Sequence, residues 1–217
     1  MSRQMVELLG TGILETLYMT IISTGFAYLF GIPLGVILFI TDKKGICQNT
    51  VVNFIIGTLV NMLRSVPFLI LLVAILPLTR LIVGTTIGST ATIVPLVIAA
   101  SPFVARMAES SLKEVDGGVI EAAKAMGSSN WQIIYKVLLP EARPSLLVGV
   151  TISLATILSY SAMAGFVGGG GLGAIAINYG YYRYQGEVMW ITVILLVVIV
   201  QLFQEIGLRI VRKTDKR

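Results

Sequence analysis

Glu121–Pro140, EAAKAMGSSNWQIIYKVLLP, is a polar, helix-forming stretch set between long apolar runs. Val119 to Met126 is rich in alanine and has high helix propensity. Asp116 is placed to cap that helix, and Glu121 in an early turn complements its dipole. Gly127 is a natural stop, because glycine alone enters the left-handed conformation without penalty. Ser129, followed three residues on by Gln132, predicts a capping box that starts a second helix. Pro140, with Pro144 behind it, is expected to break that helix. The pattern therefore predicts helix, tight turn, helix. Its small alanines permit close approach, and Trp131 and Tyr135 supply anchors. Physically, such a pair suits either a knob offered to a partner protein or an amphipathic hairpin lying on a membrane surface.

The flanking runs set the class. Of the 217 residues, 56% are hydrophobic and only 12% are charged, with a mean hydropathy of +0.90. A globular domain carries about twice that charge, so the chain reads as an integral membrane protein. A span needs about 20 apolar residues, and lipid offers no partner to a free backbone group, so the spans must be helices. Five apolar segments stand out: Thr16 to Ile40, Ser65 to Val83, Thr90 to Ala108, Ser145 to Phe166 and Val188 to Gly207. The second is preceded by an amphipathic approach, Val51 to Leu63. Arg3 and Glu7 flank an apolar run too long for a secretory leader.

An odd number of spans puts the termini on opposite sides. Lys43, Lys44, Arg106, Lys113, Lys124, Lys136, Arg143 and the tail residues Arg209, Arg212, Lys213, Lys216 and Arg217 then share one side. Only Arg3, Arg80 and Arg183 fall on the other, and Arg64 is unassigned. The positive-inside rule places the larger set, and with it Glu121–Pro140, in the cytoplasm. The N-terminus is then expected outside and the C-terminus inside. Because the basic residues flank the spans, the net charge of +5 does not point to nucleic acid.

Several residues invite a role. Asn61 to Phe68 puts Arg64 and Ser65 beside Pro67 at the mouth of a span. A charge inside a bilayer is costly, so Arg64 either marks a pathway or snorkels to the headgroups. Tyr160, Ser161 and Met163 place polar and thioether groups in the fourth segment, as path lining or as ordinary small-residue packing. Gly168, Gly169, Gly170 and Gly171, with Leu172 and Gly173, formally spell GxGxxG. A dinucleotide site needs that motif between a strand and a helix. After a membrane span the glycines read instead as close packing or as the hinge of a gate. Tyr179, Tyr181, Tyr182 and Tyr184, with Trp190 beyond, suit an interfacial belt or a surface that receives substrate. Glu15 reads as interfacial. The chain has no histidine, which excludes histidine metal sites and histidine-based triads, and its single cysteine, Cys47, has no partner for an intrachain disulfide. No Walker A motif occurs, so this chain is not itself expected to bind ATP that way.

The spacing of Glu121-Ala122-Ala123, Gly127, Val137, Leu139 and Pro140 resembles the EAA loop of ABC-importer membrane subunits. The resemblance extends through NMLRSVPFLILL (61–72), PLTRLIVGT (77–85), PFVAR (102–106) and GGGGLG (168–173) to the permeases of methionine ABC importers. Two departures are mild: Val137 stands where isoleucine is more usual, and Asp116-Gly117-Gly118 precedes the first helix. The resemblance implies a type I importer permease fold: all-α, five transmembrane helices, one transmembrane domain over residues 1–217, with a cytoplasmic coupling loop at 116–140. It implies that Glu121, Ala122, Ala123, Gly127, Leu139 and Pro140 couple to an ATPase. It implies a second copy of the permease, a cytoplasmic ATPase dimer holding ATP and Mg, an extracytoplasmic methionine-binding protein, and a place in the lipid of a bacterial inner membrane. The chain is then a transport subunit and not an enzyme, moving methionine in its D and L forms.

Other readings are a permease for a different amino acid or small solute, a secondary transporter, and a membrane scaffold. Secondary transporters often carry internal repeats and intramembrane carboxylates. No repeat is evident, and apart from Glu15 the acidic residues lie outside the spans or at their ends. A scaffold has no use for the coupling loop.

Overall fold

The computed structural model describes residues 3–214, and these are helical, with no strand among them. Helix α1 (Arg3–Thr41) is followed by α2 (Thr50–Ser65), α3 (Phe68–Ala74), α4 (Leu76–Val83) and α5 (Ser89–Lys113). Next come α6 (Gly117–Ala125), α7 (Asn130–Gln132), a π-helical turn (Ile133–Leu138), α8 (Leu139–Glu141) and α9 (Arg143–Met163). A 3₁₀ turn (Ala164–Val167), α10 (Gly171–Ile175), a second π turn (Ala176–Tyr181) and α11 (Gly186–Thr214) complete the chain. Helix α1, the continuous stretch from α9 into the 3₁₀ turn, α5 and α11 are each long and apolar enough to span a membrane. The count reaches five if α2 and α3 form one broken span.

Helices α1 and α5 form the spine. Gly31 and Gly35 lie one turn apart on α1, facing Ser101, Val104, Ala105 and Ala108 of α5. A Cβ at Gly31 would stand 2.7 Å from Val104 Cβ, and one at Gly35 would stand 2.6 Å from Ala108 Cβ. Small residues thus let the two backbones approach closely, which is how helices gain packing energy when lipid is as apolar as the side chains. Met19, Ala27, Phe68, Leu72, Leu96, Ala100, Val104, Ile157 and Ala164 complete the central core, and Tyr28 OH shares a hydrogen bond with Ser153 Oγ at 3.3 Å.

Two sequence expectations change. The second apolar segment, Ser65 to Val83, is not one helix: it is divided at Ile75 into α3 and α4. The chain bends by 103° between α2 and α3, because Val66 is extended ahead of Pro67 and Pro67 cannot continue a helix. The stretch read as an amphipathic approach forms α2 and supplies the longer arm of the bent pair. Nor does the helix end at Pro140 itself: it runs to Glu141, and the interruption falls at Ala142, between Pro140 and Pro144. The π turn from Ile133 to Leu138 widens the backbone just ahead of it, where a tight α turn would drive the ring into the Lys136 carbonyl. Ala142 N–H still donates to Leu138 O, and Leu146 N–H to Ala142 O, both at 2.9 Å. The chain therefore enters α9 after that one turn residue.

Candidate functional site

The Glu121–Pro140 loop folds as its local signals dictate. Asp116 caps α6 by accepting the Gly118 N–H at 2.7 Å. Gly127 has φ +78°, and the Ser129–Gln132 capping box is formed in both directions. The two sides of this hairpin differ. Ala123, Ile133, Ile134 and Leu138 turn inward onto Leu112, Val115 and Ala142, against Phe39 and Ile40 at the end of α1. Glu121, Ala122, Gly127 and Pro140 face outward and Leu139 is half-buried. Beside them Met126, Trp131 and Tyr135 are 79%, 73% and 65% exposed. Cys47, from the turn after α1, accepts a hydrogen bond from Asn130 Nδ2 at 3.1 Å and so braces the second helix. The hairpin thus presents a firm, partly apolar outer face, with bare backbone where alanine and glycine stand.

The opposite end of the molecule is also defined. Tyr179 belongs to a cluster with Met5, Leu8 and Leu9 near the start of α1. Since α1 is one helix, this cluster lies roughly 45 Å from the hairpin. Arg183 stacks over the Tyr179 ring at 4.4 Å, while Tyr181, Tyr182 and Tyr184 are exposed.

Between these ends the residues expected to line a path separate into three places. Arg64 and Tyr160 meet: with Phe68, Ala99 and Phe103 they line a pocket of about 140 Å³ at the α2–α3 bend. The Phe68 and Tyr160 rings stack with centroids 4.5 Å apart and planes 4° from parallel. Ser65 sits on the exposed side of the bend, its hydroxyl donating to Asn61 O. Ser161 is buried, and its hydroxyl donates to Leu158 O at 2.7 Å. Met163 lies on another face, in an open apolar groove of about 510 Å³ with Ser159, Phe166 and Gln201. So the fourth span does not gather Tyr160, Ser161 and Met163 into one cluster.

The four glycines form a pinned turn. Gly168, Gly170 and Gly171 have φ between +71° and +82°, which a side chain would strain. Thr92 Oγ1 donates to Gly169 O at 3.2 Å, and Gly88 N–H donates to Gly168 O at 2.9 Å. The turn then starts α10, whose first N–H groups are met from α1. Gly171 N–H donates to Glu15 Oε2 at 2.6 Å and Leu172 N–H to Thr16 Oγ1 at 2.9 Å. Glu15, read from the sequence only as interfacial, serves as a helix cap from a distant part of the chain.

Sequence reasoning also missed the polar centre on α5. Glu109 is buried, and its carboxylate accepts from Arg106 at 2.6 Å and Lys113 at 2.7 Å. Arg106 also donates to Gly57 O and Asn61 Oδ1 on α2, and Lys113 reaches Asp42 at 3.1 Å. Three helical elements are tied at one level. The Lys113 ammonium, hydrogen-bonded to Asp42, holds that carboxyl below its ordinary range. The sequence signal was present: Arg106, Glu109 and Lys113 are spaced three and four apart on one helix face.

Comparison with known proteins places this architecture. The family model described as "Binding-protein-dependent transport system inner membrane component" matches residues 31–216. A Vibrio cholerae protein named "Probable D-methionine transport system permease protein MetI" is 56% identical over 97% of this chain and 94% of its own length. The Bacillus subtilis "Methionine import system permease protein MetP" is 45% identical over 94% of this chain and 91% of its own. A solved structure described as an inward-facing conformation of "the MetNI methionine ABC transporter" matches with a TM-score of 0.98 and 49% identity, each chain being covered in full. A bundle of apolar spans, an outward-facing hairpin with the EAA spacing, and these likenesses lead to one conclusion: the chain belongs to the inner membrane components of binding-protein-dependent transport systems.

Proposed function

We propose that this chain is the membrane-spanning permease subunit of an ATP-driven importer that carries methionine, in both D and L forms, across a bacterial inner membrane. The observation that carries the reading is the hairpin. Its outer face exposes Met126, Trp131 and Tyr135 around small residues, and its second helix is joined to α9 through the single turn residue Ala142. A partner that pushes on the hairpin therefore pushes on a span. The methionine permease names of the relatives point to the substrate.

In this reading, Glu121, Ala122, Ala123, Gly127, Leu139 and Pro140 belong to the coupling loop at 116–140, within a single transmembrane domain over 1–217. A cytoplasmic ATPase dimer docks there and holds ATP and Mg, and this chain performs no hydrolysis itself. A second copy of the chain completes the pore, and an extracytoplasmic methionine-binding protein delivers substrate at the far end. The N-terminus lies outside and the C-terminus in the cytoplasm. Support comes from the basic residues gathered at the hairpin end and from the length of α1 between the two ends.

The path passes Arg64, Ser65 and Tyr160 at the α2–α3 bend and Met163 on the neighbouring face. Ser161 holds the backbone of α9 between them. Gly168, Gly169, Gly170 and Gly171 form the gate-side junction. Their hydrogen bonds to Thr92 and Glu15 favour a turn that moves as a unit. The test is uptake of labelled methionine in a strain lacking its own importer, with this chain, its ATPase and its binding protein supplied together. Uptake that needs all three and stops with a hydrolysis-dead ATPase is the expected result. Entry of a different amino acid alone would refute the substrate, and uptake independent of hydrolysis would refute the class.

A further inference from the structure

Helix α2 has a slight apolar grip on the bundle. It buries Gly57 and Val60, while its larger apolar side chains Phe54, Ile55, Leu59 and Met62 are exposed. So small an apolar contact is non-directional and does not by itself fix one helix against another. Polar ties at two points do. Near the start of α2, Asn53 Nδ2 donates to Leu38 O at 2.7 Å and to Thr41 Oγ1 at 3.1 Å, at the end of α1. One and two turns on, Arg106 of α5 donates to Gly57 O at 3.1 Å and to Asn61 Oδ1 at 2.9 Å. Its other terminal nitrogen donates to Glu109 Oε2 at 2.6 Å. The donors of a guanidinium sit in a rigid fork, so the bond to Glu109 also sets the aim of the other two. Gly57 leaves its carbonyl unshielded, since a Cβ there would stand 3.4 Å from Arg106 Nη2. Further along the same stretch, Leu112 near the end of α5 and Val115 just beyond it pack in one cluster with Ile133, Ile134 and Leu138 of the hairpin. At its far end α2 leads through the bend to Phe68, whose ring stacks on Tyr160 of α9. The hairpin therefore has two routes into the bundle: past Ala142 into α9, and through α5 and Arg106 into α2. They meet where Phe68 and Tyr160 stack.

We propose that Arg106, aimed by Glu109, is a positioning residue of the transport cycle that makes α2 follow the hairpin. With this tie in place α2 is fixed at two points and moves with α1 and α5. Without it α2 keeps the polar attachment at Asn53 and can pivot there. The hairpin then moves α9 while the Phe68 side of the stack lags behind, and ATP is hydrolysed without moving substrate. Directional, charge-assisted hydrogen bonds suit this task, because a purely apolar contact would let the two helices slide. The inference rests on the importer reading of the preceding subsection.

Proteoliposomes carrying the permease–ATPase complex, with the binding protein supplied, give methionine uptake and ATP hydrolysis side by side, and the ratio of the two is the readout. Asn61→Ala removes an acceptor from an exposed position and leaves the Arg106–Glu109 pair intact. It should lower uptake per ATP by about threefold or more, the scale of one lost hydrogen bond to a charged group. Hydrolysis and the thermal transition should stay near the parent's. Asn61→Asp keeps an acceptor oxygen for Arg106 and should restore the parent ratio. Arg106→Lys keeps a cation for Glu109, but a single ammonium on a shorter stem cannot serve Gly57 O and Asn61 at the same time. It should therefore uncouple at least as strongly, whereas a purely structural ion pair would leave it silent. Leu81→Ala, at an exposed position on α4, is the control and should match the parent chain. A parent ratio in either Asn61→Ala or Arg106→Lys, no rescue by Asn61→Asp, or uptake and hydrolysis that fall in equal proportion would overturn the proposal. A parent complex that carries no methionine refutes the functional reading itself, before any variant is compared.

Discussion

Glu15 of α1 accepts the backbone N–H of Gly171 at 2.6 Å, joining positions 156 residues apart. The bond caps α10 at its first residue, and Thr16 next in sequence caps the following N–H. A carboxylate inside the apolar part of the chain thus has a structural partner. Glu15→Ala should leave that N–H unmet and cost about 1–2 kcal/mol, the range of a lost cap. Glu15→Gln keeps an acceptor oxygen and should cost less. The thermal transition of the detergent-solubilised protein decides between them, and equal transitions for all three chains would remove the cap from the account.

Gly127 makes a different kind of demand. A Cβ there would meet nothing within 4 Å, so space is not the constraint, but φ is +78°. Gly127→Ala should therefore cost about 1–2 kcal/mol of local conformational energy, and Gly127→Asn clearly less. Gly127→Leu adds bulk on the outward face as well. It should still insert in the membrane yet lose the link between ATP hydrolysis and uptake in the reconstituted complex. Full substrate-stimulated activity in that variant would count against a docking role for the hairpin.

The α5 polar centre separates a buried charge from an exposed one. Glu109→Ala would leave the partly buried Arg106 without its carboxylate, while the exposed Lys113 keeps Asp42. A loss of about 1–3 kcal/mol is expected, the range for hydrogen bonds to a charged group that is removed. Asp42 is far more open, and Asp42→Asn should cost at most about 1 kcal/mol. Because Asp42's folded pKa is lowered, its contribution is present at neutral pH, above the unfolded value. It is lost as acid takes the pH down through the folded one. Thermal scans of the parent and Asp42→Asn chains should therefore converge as the pH falls through that range.

Orientation is open to labelling. With Cys47→Ser as background, Lys124→Cys on α6 and Gln185→Cys beyond the second π turn are both exposed. A membrane-impermeant maleimide added to intact cells should reach the second and not the first. Reaction at Lys124→Cys from outside would invert the topology.

What the sequence determined by itself was local. The caps at Asp116 and Ser129 and the turn at Gly127 depend on neighbours within a few residues, so spacing suffices to predict them. The apolar lengths and the placement of basic residues likewise follow from composition, because the bilayer sorts both without reference to the fold. Where prediction failed, a tertiary or backbone choice intervened. Pro140 has two outcomes, a break or a passage through a widened turn, and packing of Ile133, Ile134 and Leu138 on the end of α1 favours the second. The second apolar segment was read as one helix because hydropathy registers neither the 103° bend at Pro67 nor the break at Ile75. Glu15 with Gly171, Tyr160 with Phe68, and Arg106 with Gly57 and Asn61 are separated by 45 to 156 residues and join only when α1, α2, α3, α5, α9 and α10 pack. Hydrogen bonds and ring contacts act over a few ångströms, and only the folded chain brings such distant residues that close.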